Sequence, residues 1–387
     1  MLHQVCRSVE SVKPHISDRP GLRLALAASA LCRRGDTAAA RAFAERPLDE
    51  DHTRIRGALA GLARAVGIQP SEASDRVARA LEAADAMIAG DPGLGVSLLS
   101  VTDPRYPAWL RTIVDPPLAL WVRGHVDALS CPAVALVGSR DATPVGLSVA
   151  RRLARGLADA GLMVVSGLAR GIDGAAHAGA LDAGGTSVAV LGSGIDVTYP
   201  SSHAGLATEL TRQGAIVSEL PPGTPPLPGH FPLRNRIISG LARAVVVVEA
   251  SERSGSLITA RLALEQSRDV LAVPGGIASG RHRGCHALIK DGARLVETVG
   301  DILDELGWML PMARPPVTGP ADAAGISTLE AVMAAGEPYA LDDLAARTGR
   351  PVAELLAELG RLEVAGRITR SGAARFVRLD ASAMDRW

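Results

Sequence analysis

Apolar residues recur at helical spacing in three stretches near the amino end, 22–32, 53–66 and 74–89, with few β-branched runs between them. Residues 21–90 therefore read as a small helical domain, set within 1–95. From Ala133 the pattern changes. Short apolar runs at 133–137, 162–166, 187–191, 215–218, 244–249 and 270–273 alternate with helical segments up to about Leu306. Unbroken apolar runs mark strands buried on both faces, so the segment predicts an α/β fold with a mainly parallel sheet covered by helices. Val245 to Val248, four valines in succession, is the expected central strand. Glycine-rich turns follow several of these runs, where the carboxyl ends of the strands would lie and where open α/β sheets bind ligands.

Between the two patterns, 101–124 (VTDPRYPAWLRTIVDPPLALWVRG) reads as a docking strap. Asp103-Pro104 and Asp115-Pro116-Pro117 break helices, while Tyr106, Trp109 and Trp121 offer surface to bury. The strap and the sheet form one expected domain over 96–310, followed by a proline-rich linker at 311–324. Beyond it, 327–335, 341–347 and 351–364 read as short helices and 367–379 as a hairpin turning at Ser371-Gly372. That is winged-helix order, expected over 325–387. Its third helix carries Glu354, Glu358 and Glu363 against Arg361, a poor surface for a phosphate-lined groove, so protein contact or packing is the preferred reading there.

Charge then narrows the function. The 387 residues hold 41 Lys+Arg against 41 Asp+Glu, which excludes a general basic coat, so any anion site is local. Lys13 and Lys290 are the only lysines, leaving the positive charge almost wholly to arginine. Cys6, Cys32, Cys131 and Cys285 are scattered without a CxxC pair, a pattern that fits a reduced cytoplasmic protein without structural zinc. The amino end carries Arg7, Glu10 and Lys13 among its apolar residues, and no stretch reaches the about 20 apolar residues of a membrane span. A soluble, intracellular chain is expected.

The candidate chemistry is a set of glycine loops. Gly138-Ser139-Arg140 closes the run 133–137, SGLARGIDGAAH spans Ser166 to His177, SVAVLGSG covers 187–194, and Ser254-Gly255-Ser256 follows the run 244–249. Glycine lets backbone N–H groups approach a phosphate, and a helix beginning there adds its positive end. The first turn lacks G-x-G-x-x-G, no Walker lysine follows any loop, and no nucleophile elbow is present, so dinucleotide binding and catalysis have little support. Asp173 and His177, four residues apart, could act as a base and its orienter; the preferred reading has Asp173 capping a helix and His177 packing beneath the glycine loop. Phe231 precedes Arg234, Asn235 and Arg236, and an aromatic face beside guanidinium groups is one way to hold an unpaired base and its phosphate. A buried Phe with two surface arginines is the alternative.

The ordered series GSR at 138–140, SGLARGID..AH at 166–177, VLGSGIDVTYP at 191–200, SE at 218–219, FPLRNRIISGL at 231–241, EASERSGSLITA at 249–260 and VPG at 273–275 resembles the DNA-processing protein A family, also called Smf. The resemblance implies an extended Rossmann-like domain that dimerises, a winged-helix domain after it, and no cofactor. It also implies a non-catalytic mediator that binds single-stranded DNA and loads the RecA recombinase on incoming strands during natural transformation. By the same resemblance Gly138, Ser139 and Arg140, Ser166 with Gly167, Leu168, Ala169, Arg170 and Gly171, Phe231 with Arg234, Asn235 and Arg236, and Ser254, Gly255 and Ser256 would form the strand-binding groove. Amides and serine hydroxyls would hold phosphates, Arg140 and Arg236 would neutralise them, and Phe231 would stack on a base. Glu249 and Thr259 would scaffold the loops, and Arg281, His282 and Arg283 could supplement the charge.

A second reading is a nucleotide-processing enzyme of the lysine-decarboxylase-like, phosphoribohydrolase type. Those enzymes rely on PGGxGTxxE, whereas here Pro274-Gly275-Gly276 runs into Ile277-Ala278-Ser279-Gly280 without the threonine or the glutamate. A protein scaffold without nucleic acid would require every glycine loop to be structural.

Overall fold

The computed structural model describes residues 19–31, 52–89, 95–308, 329, 332–334, 337–364, 367–370 and 375–378. Cα packing divides the chain into two compact units, one of Met1–Arg140 with Ala150–Trp308, the other of Asp141–Val149 with Met309–Trp387. In the first, the helical spacing gives α1 (Arg19–Leu31), α2 (His52–Ala65) and α3 (Pro70–Ala89). Leu59, Leu62 and Ala63 of α2 and Val77, Ala80, Leu81 and Ala84 of α3 turn one face inward at i, i+3, i+4 spacing. Arg23 and Asp85 join α1 to α3 through two hydrogen bonds of 2.6 and 2.7 Å. The helices share one continuous apolar core with the sheet, reaching Leu99, Leu120 and Trp121, so no gap in packing marks the expected boundary after residue 95.

The sheet has nine strands, β1 (Val96–Ser100), β2 (Ala119–Gly124), β3 (Ala133–Val137), β4 (Met163–Ser166), β5 (Ser187–Val190), β6 (Ala215–Ser218), β7 (Ala244–Val247), β8 (Asp269–Ala272) and β9 (Arg294–Leu295), in the order β1-β2-β6-β5-β4-β3-β7-β8-β9. The strands from β3 to β9 pair in parallel, while β2 pairs antiparallel with both β1 and β6. All six apolar runs are strands. The end of the strap is one as well: Trp121 lies buried opposite Ser218 in β2, because the Asp-Pro breaks that suggest a linker end before the run ALWV. The rest of the strap carries the short helix α4 (Ala108–Arg111). Tyr106 is buried with its hydroxyl donating to Pro117 O at 2.9 Å.

Connections between the parallel strands run through α5 (Pro144–Asp159), α6 (Ile172–Asp182), α7 (Ala204–Gln213), α8 (His230–Leu241), α9 (Ser256–Glu265) and α10 (Arg283–Lys290), and α11 (Val299–Glu305) follows β9. After β3 the chain steps outward through β4, β5 and β6, then returns to place β7 on the other side of β3. The carboxyl ends of β3 and β7 are therefore the switch point where an open α/β sheet leaves a crevice. Cys131 is disulfide-bonded, contrary to the expectation of a fully reduced chain, while Cys285 is a free, buried thiol. Among the described residues no helix is long and apolar enough to cross a membrane, and no cluster of His, Cys, Asp or Glu is placed to hold a metal ion.

The second unit contains β10 (Pro338–Ala340), α12 (Leu341–Thr348), α13 (Val352–Val364), β11 (Ile368–Arg370) and β12 (Arg375–Arg378), with β12 central in a three-stranded antiparallel sheet. Leu344, Leu355, Leu359, Leu362, Ile368 and Phe376 fill its core. The linker 311–324, most of the helix expected at 327–335 and the turn at Ser371-Gly372 lie outside the described residues.

Candidate nucleic-acid interface

Three loops are laced together at the switch point. Ser139 N donates to Glu249 O at 2.7 Å, joining the loop after β3 to that after β7, and Ile172 N donates to Ser139 O at 3.1 Å, joining it to the start of α6. Gly171 makes this approach possible. It sits at φ +78, and a Cβ there would lie 2.2 Å from Ser139 O, so any side chain would force the loops apart. Leu168 holds a left-handed φ of 58 with its side chain fully buried and its carbonyl bonded to the His203 ring at 3.0 Å. Such a backbone costs about 1–2 kcal/mol and persists because the surrounding contacts fix it.

Beneath this loop lies a buried charge pair. The Asp173 carboxylate accepts from Gly167 N at 3.1 Å and Ala169 N at 3.4 Å, and Arg234 Nη2 stands 3.9 Å away. Burial raises the Asp173 carboxyl above its usual range although Arg234 and the loop amides oppose the shift. Arg234 is itself lowered by burial to about 10, stays charged at neutral pH, and donates to Val190 O at 2.6 Å. His177 is pushed down by burial to about 3 and pairs through Nδ1 with Ser187 Oγ at 2.8 Å, so it is neutral. Asp173 and His177 thus serve different partners and form no base-and-orienter pair. Asp173 braces the loop from the first turn of α6, whose N-cap is Gly171.

Several residues expected in the groove are buried or ion-paired. Arg236, expected to neutralise phosphate, donates to Asp115 Oδ2 at 3.0 Å and Glu219 Oε1 at 2.6 Å; burial opposes its charge, but these two carboxylates raise its pKa. Its charge is matched by these two carboxylates. Arg234 and Asn235 are buried, as is Ser166, whose hydroxyl donates to Leu136 O at 2.6 Å. Ser256 is buried in the first turn of α9, its hydroxyl 2.7 Å from that of Ser254, while Gly255 at the N-cap is exposed. Arg281 lies 3.9 Å from the buried Glu249 carboxylate and Arg283 lies 3.5 Å from Glu252, so both supplementary arginines are paired.

What remains open at the carboxyl edge is a smaller set, to which Ser254, partly exposed, and Gly255, exposed, also belong. Arg140 and Arg170 are exposed, and Gly138, Ser139, Ala169 and Gly171 are partly so. The Arg140 guanidinium carbon lies 5.2 Å from the centroid of the Phe231 ring. Tyr199, in the loop after β5, stands 5.6 Å from the same ring. Tyr199 lies inside the motif VLGSGIDVTYP, where an aromatic in a glycine-rich loop after a strand is the one signal the sequence carries for it.

The residues 97–307 match the family described as DNA recombination-mediator protein A, and 313–373 match the DprA winged helix domain. The DNA processing protein DprA of Streptococcus pneumoniae is 47% identical over 206 residues, covering 53% of this chain and 73% of that protein. Protein Smf of Escherichia coli is 45% identical over 268 residues, 67% of this chain and 72% of that one. The crystal structure of DprA from S. pneumoniae aligns at TM-score 0.63 and 37% identity, covering 72% of this chain and 95% of its own. The solved structure of DNA processing protein A from Helicobacter pylori, described for its single-stranded DNA binding mode, aligns at TM-score 0.50 and 29% identity over 55% of this chain and 95% of its own. These relatives carry the names of DNA-processing proteins and mediators, which fits a non-catalytic role and does not favour the phosphoribohydrolase reading. Matched over more than half its length, with its winged helix matched as well, this chain belongs to the DNA recombination-mediator protein A family, the DprA/Smf proteins.

Proposed function

We propose that this chain binds single-stranded DNA along the carboxyl edge of its parallel sheet and delivers it to a RecA-type recombinase, in natural transformation where the host takes up DNA. The observation that carries the reading is Arg140: an exposed guanidinium at the switch point, without an ion pair among the described residues, packed on an aromatic ring beside glycine loops. Phosphate contacts from guanidinium and backbone N–H groups give affinity for any sequence, and aromatic faces select unpaired bases. The single-strand binding described for the H. pylori relative supports the same substrate. Within the expected groove, Gly138, Ser139, Arg140, Ala169, Arg170, Gly171, Ser254 and Gly255 are the proposed strand contacts.

Fluorescence anisotropy of a labelled oligothymidine and of its matched duplex, across a salt series, tests the substrate. A salt-sensitive preference for the single strand supports the reading, and equal or absent binding sinks it. Delivery is tested separately, by whether the protein lets RecA displace single-strand-binding protein from a coated strand. We further propose a homodimer through the Rossmann-like domain; a 39.9 kDa chain should then sediment at about twice that mass.

A further inference from the structure

The helix α13 of the second unit turns one face to solvent, and that face is apolar. Leu355, Leu359 and Leu362 lie in the core of the unit, and Glu358 is buried, accepting from Arg350 Nη1. The opposite face carries Val352, Ala353, Leu356 and Ala357, all exposed, Val352 at 43% and Leu356 at 46%. Gly360 follows on that face, four residues after Leu356 and seven after Ala353. Glycine inside a helix is destabilising relative to alanine, yet a Cβ at Gly360 would meet nothing within 4 Å. No neighbour among the described residues requires the glycine, whereas close approach of a second helix would. Two charges line one flank of the face. Glu354, its side chain 61% exposed and 3.6 Å from Arg350, stands near the amino end, and Arg361, exposed and without an ion pair among the described residues, stands two turns later.

We propose that α13 is a self-association surface whose occupant is the same face of α13 in a second copy of this chain, packed antiparallel about a two-fold axis. A contact of that symmetry needs a self-complementary patch. Antiparallel packing sets Glu354 of each copy beside Arg361 of its partner, whereas parallel packing would set like charges together. Ala353, Ala357 and Gly360 let the two backbones approach, and Val352 and Leu356 supply the apolar area that is removed from water. One helix pair is smaller than a stable interface, so the contact is weak by itself and acts by linking copies already held together elsewhere. The inference does not depend on what the carboxyl edge of the sheet binds.

Sedimentation velocity of the full-length protein over a concentration series reads the contact. The wild type should gain mass with concentration beyond whatever assembly remains in Leu356→Glu. Gly360→Gln raises helix propensity but adds bulk to the face, so it should unfold in urea no earlier than the wild type and still lose the concentration-dependent mass. Glu354→Arg and Arg361→Glu should each weaken the association about tenfold or more, by setting like charges opposite each other, and the double variant should recover it. That recovery separates a contact between two copies from damage to the domain, because a misfolded variant is not rescued by a second reversal. A wild-type mass that never rises above that of Leu356→Glu, or a charge swap that restores nothing in a folded protein, overturns the proposal.

Discussion

Arg140 and Arg236 look alike in the sequence, each an arginine close to glycine or an aromatic, yet their surroundings assign them opposite work. Arg140 is exposed on Phe231, so Arg140→Ala should weaken single-strand binding and lower the slope of log affinity against log salt by about one, as loss of one phosphate contact does. Unchanged affinity in the folded variant would remove Arg140 from the groove. Arg236 closes a partly buried network with Asp115 and Glu219, and removing it leaves two carboxylates without their counter-charge. Arg236→Ala should therefore cost about 3 kcal/mol of stability in urea titration while leaving the salt slope unaltered. The motif FPLRNR could announce guanidinium groups but could not say which of them face carboxylates, because Asp115 stands 121 positions away in the chain.

The elements were legible wherever a run of side chains met one kind of environment. The buried parallel strands are unbroken apolar runs, and the amino-terminal helices keep their i, i+3, i+4 faces; both patterns survived intact. The strap was only half legible, because its Asp-Pro turns hid the strand that follows. What seats it is also non-local. Trp109 of α4 is 43% exposed, but the Arg268 guanidinium carbon lies 4.3 Å from its ring centroid and Arg268 Nη2 donates to the Trp109 carbonyl at 2.9 Å. Gly240 of α8 admits Leu110 so closely that a Cβ would meet Leu110 Cδ1 at 2.7 Å. Trp109→Ala should lower stability by about 1–2 kcal/mol, read as a shift of the urea midpoint at constant m-value. A variant as stable as the wild type would mean that the ring contributes nothing to holding the strap.

For the whole molecule, the buried polar layer under the Gly167–Gly171 loop sets how stability follows pH. His177 falls from 6.5 to about 3 on folding, driven first by burial and then by the nearby charges of His203 and Arg234. The unfolded chain therefore binds a proton that the native state refuses, and stability is lost as pH falls from about 6.5 towards 3, at up to about 1.4 kcal/mol per unit. The raised carboxyl of Asp173 acts in the opposite sense near and above its model value of 3.8, where the native state gains a proton first. Denaturation midpoints measured between pH 7 and 5 should fall, and His177→Gln should flatten that slope; an equal slope in both would show that His177 does not govern it. By itself the sequence determined the fold class, the strand runs, the winged-helix order and the family, because burial periodicity and glycine spacing are local properties of the chain. Only the tertiary structure decided which arginines face carboxylates and that Asp173 braces a loop rather than serving a histidine, because each depends on partners brought together from distant strands.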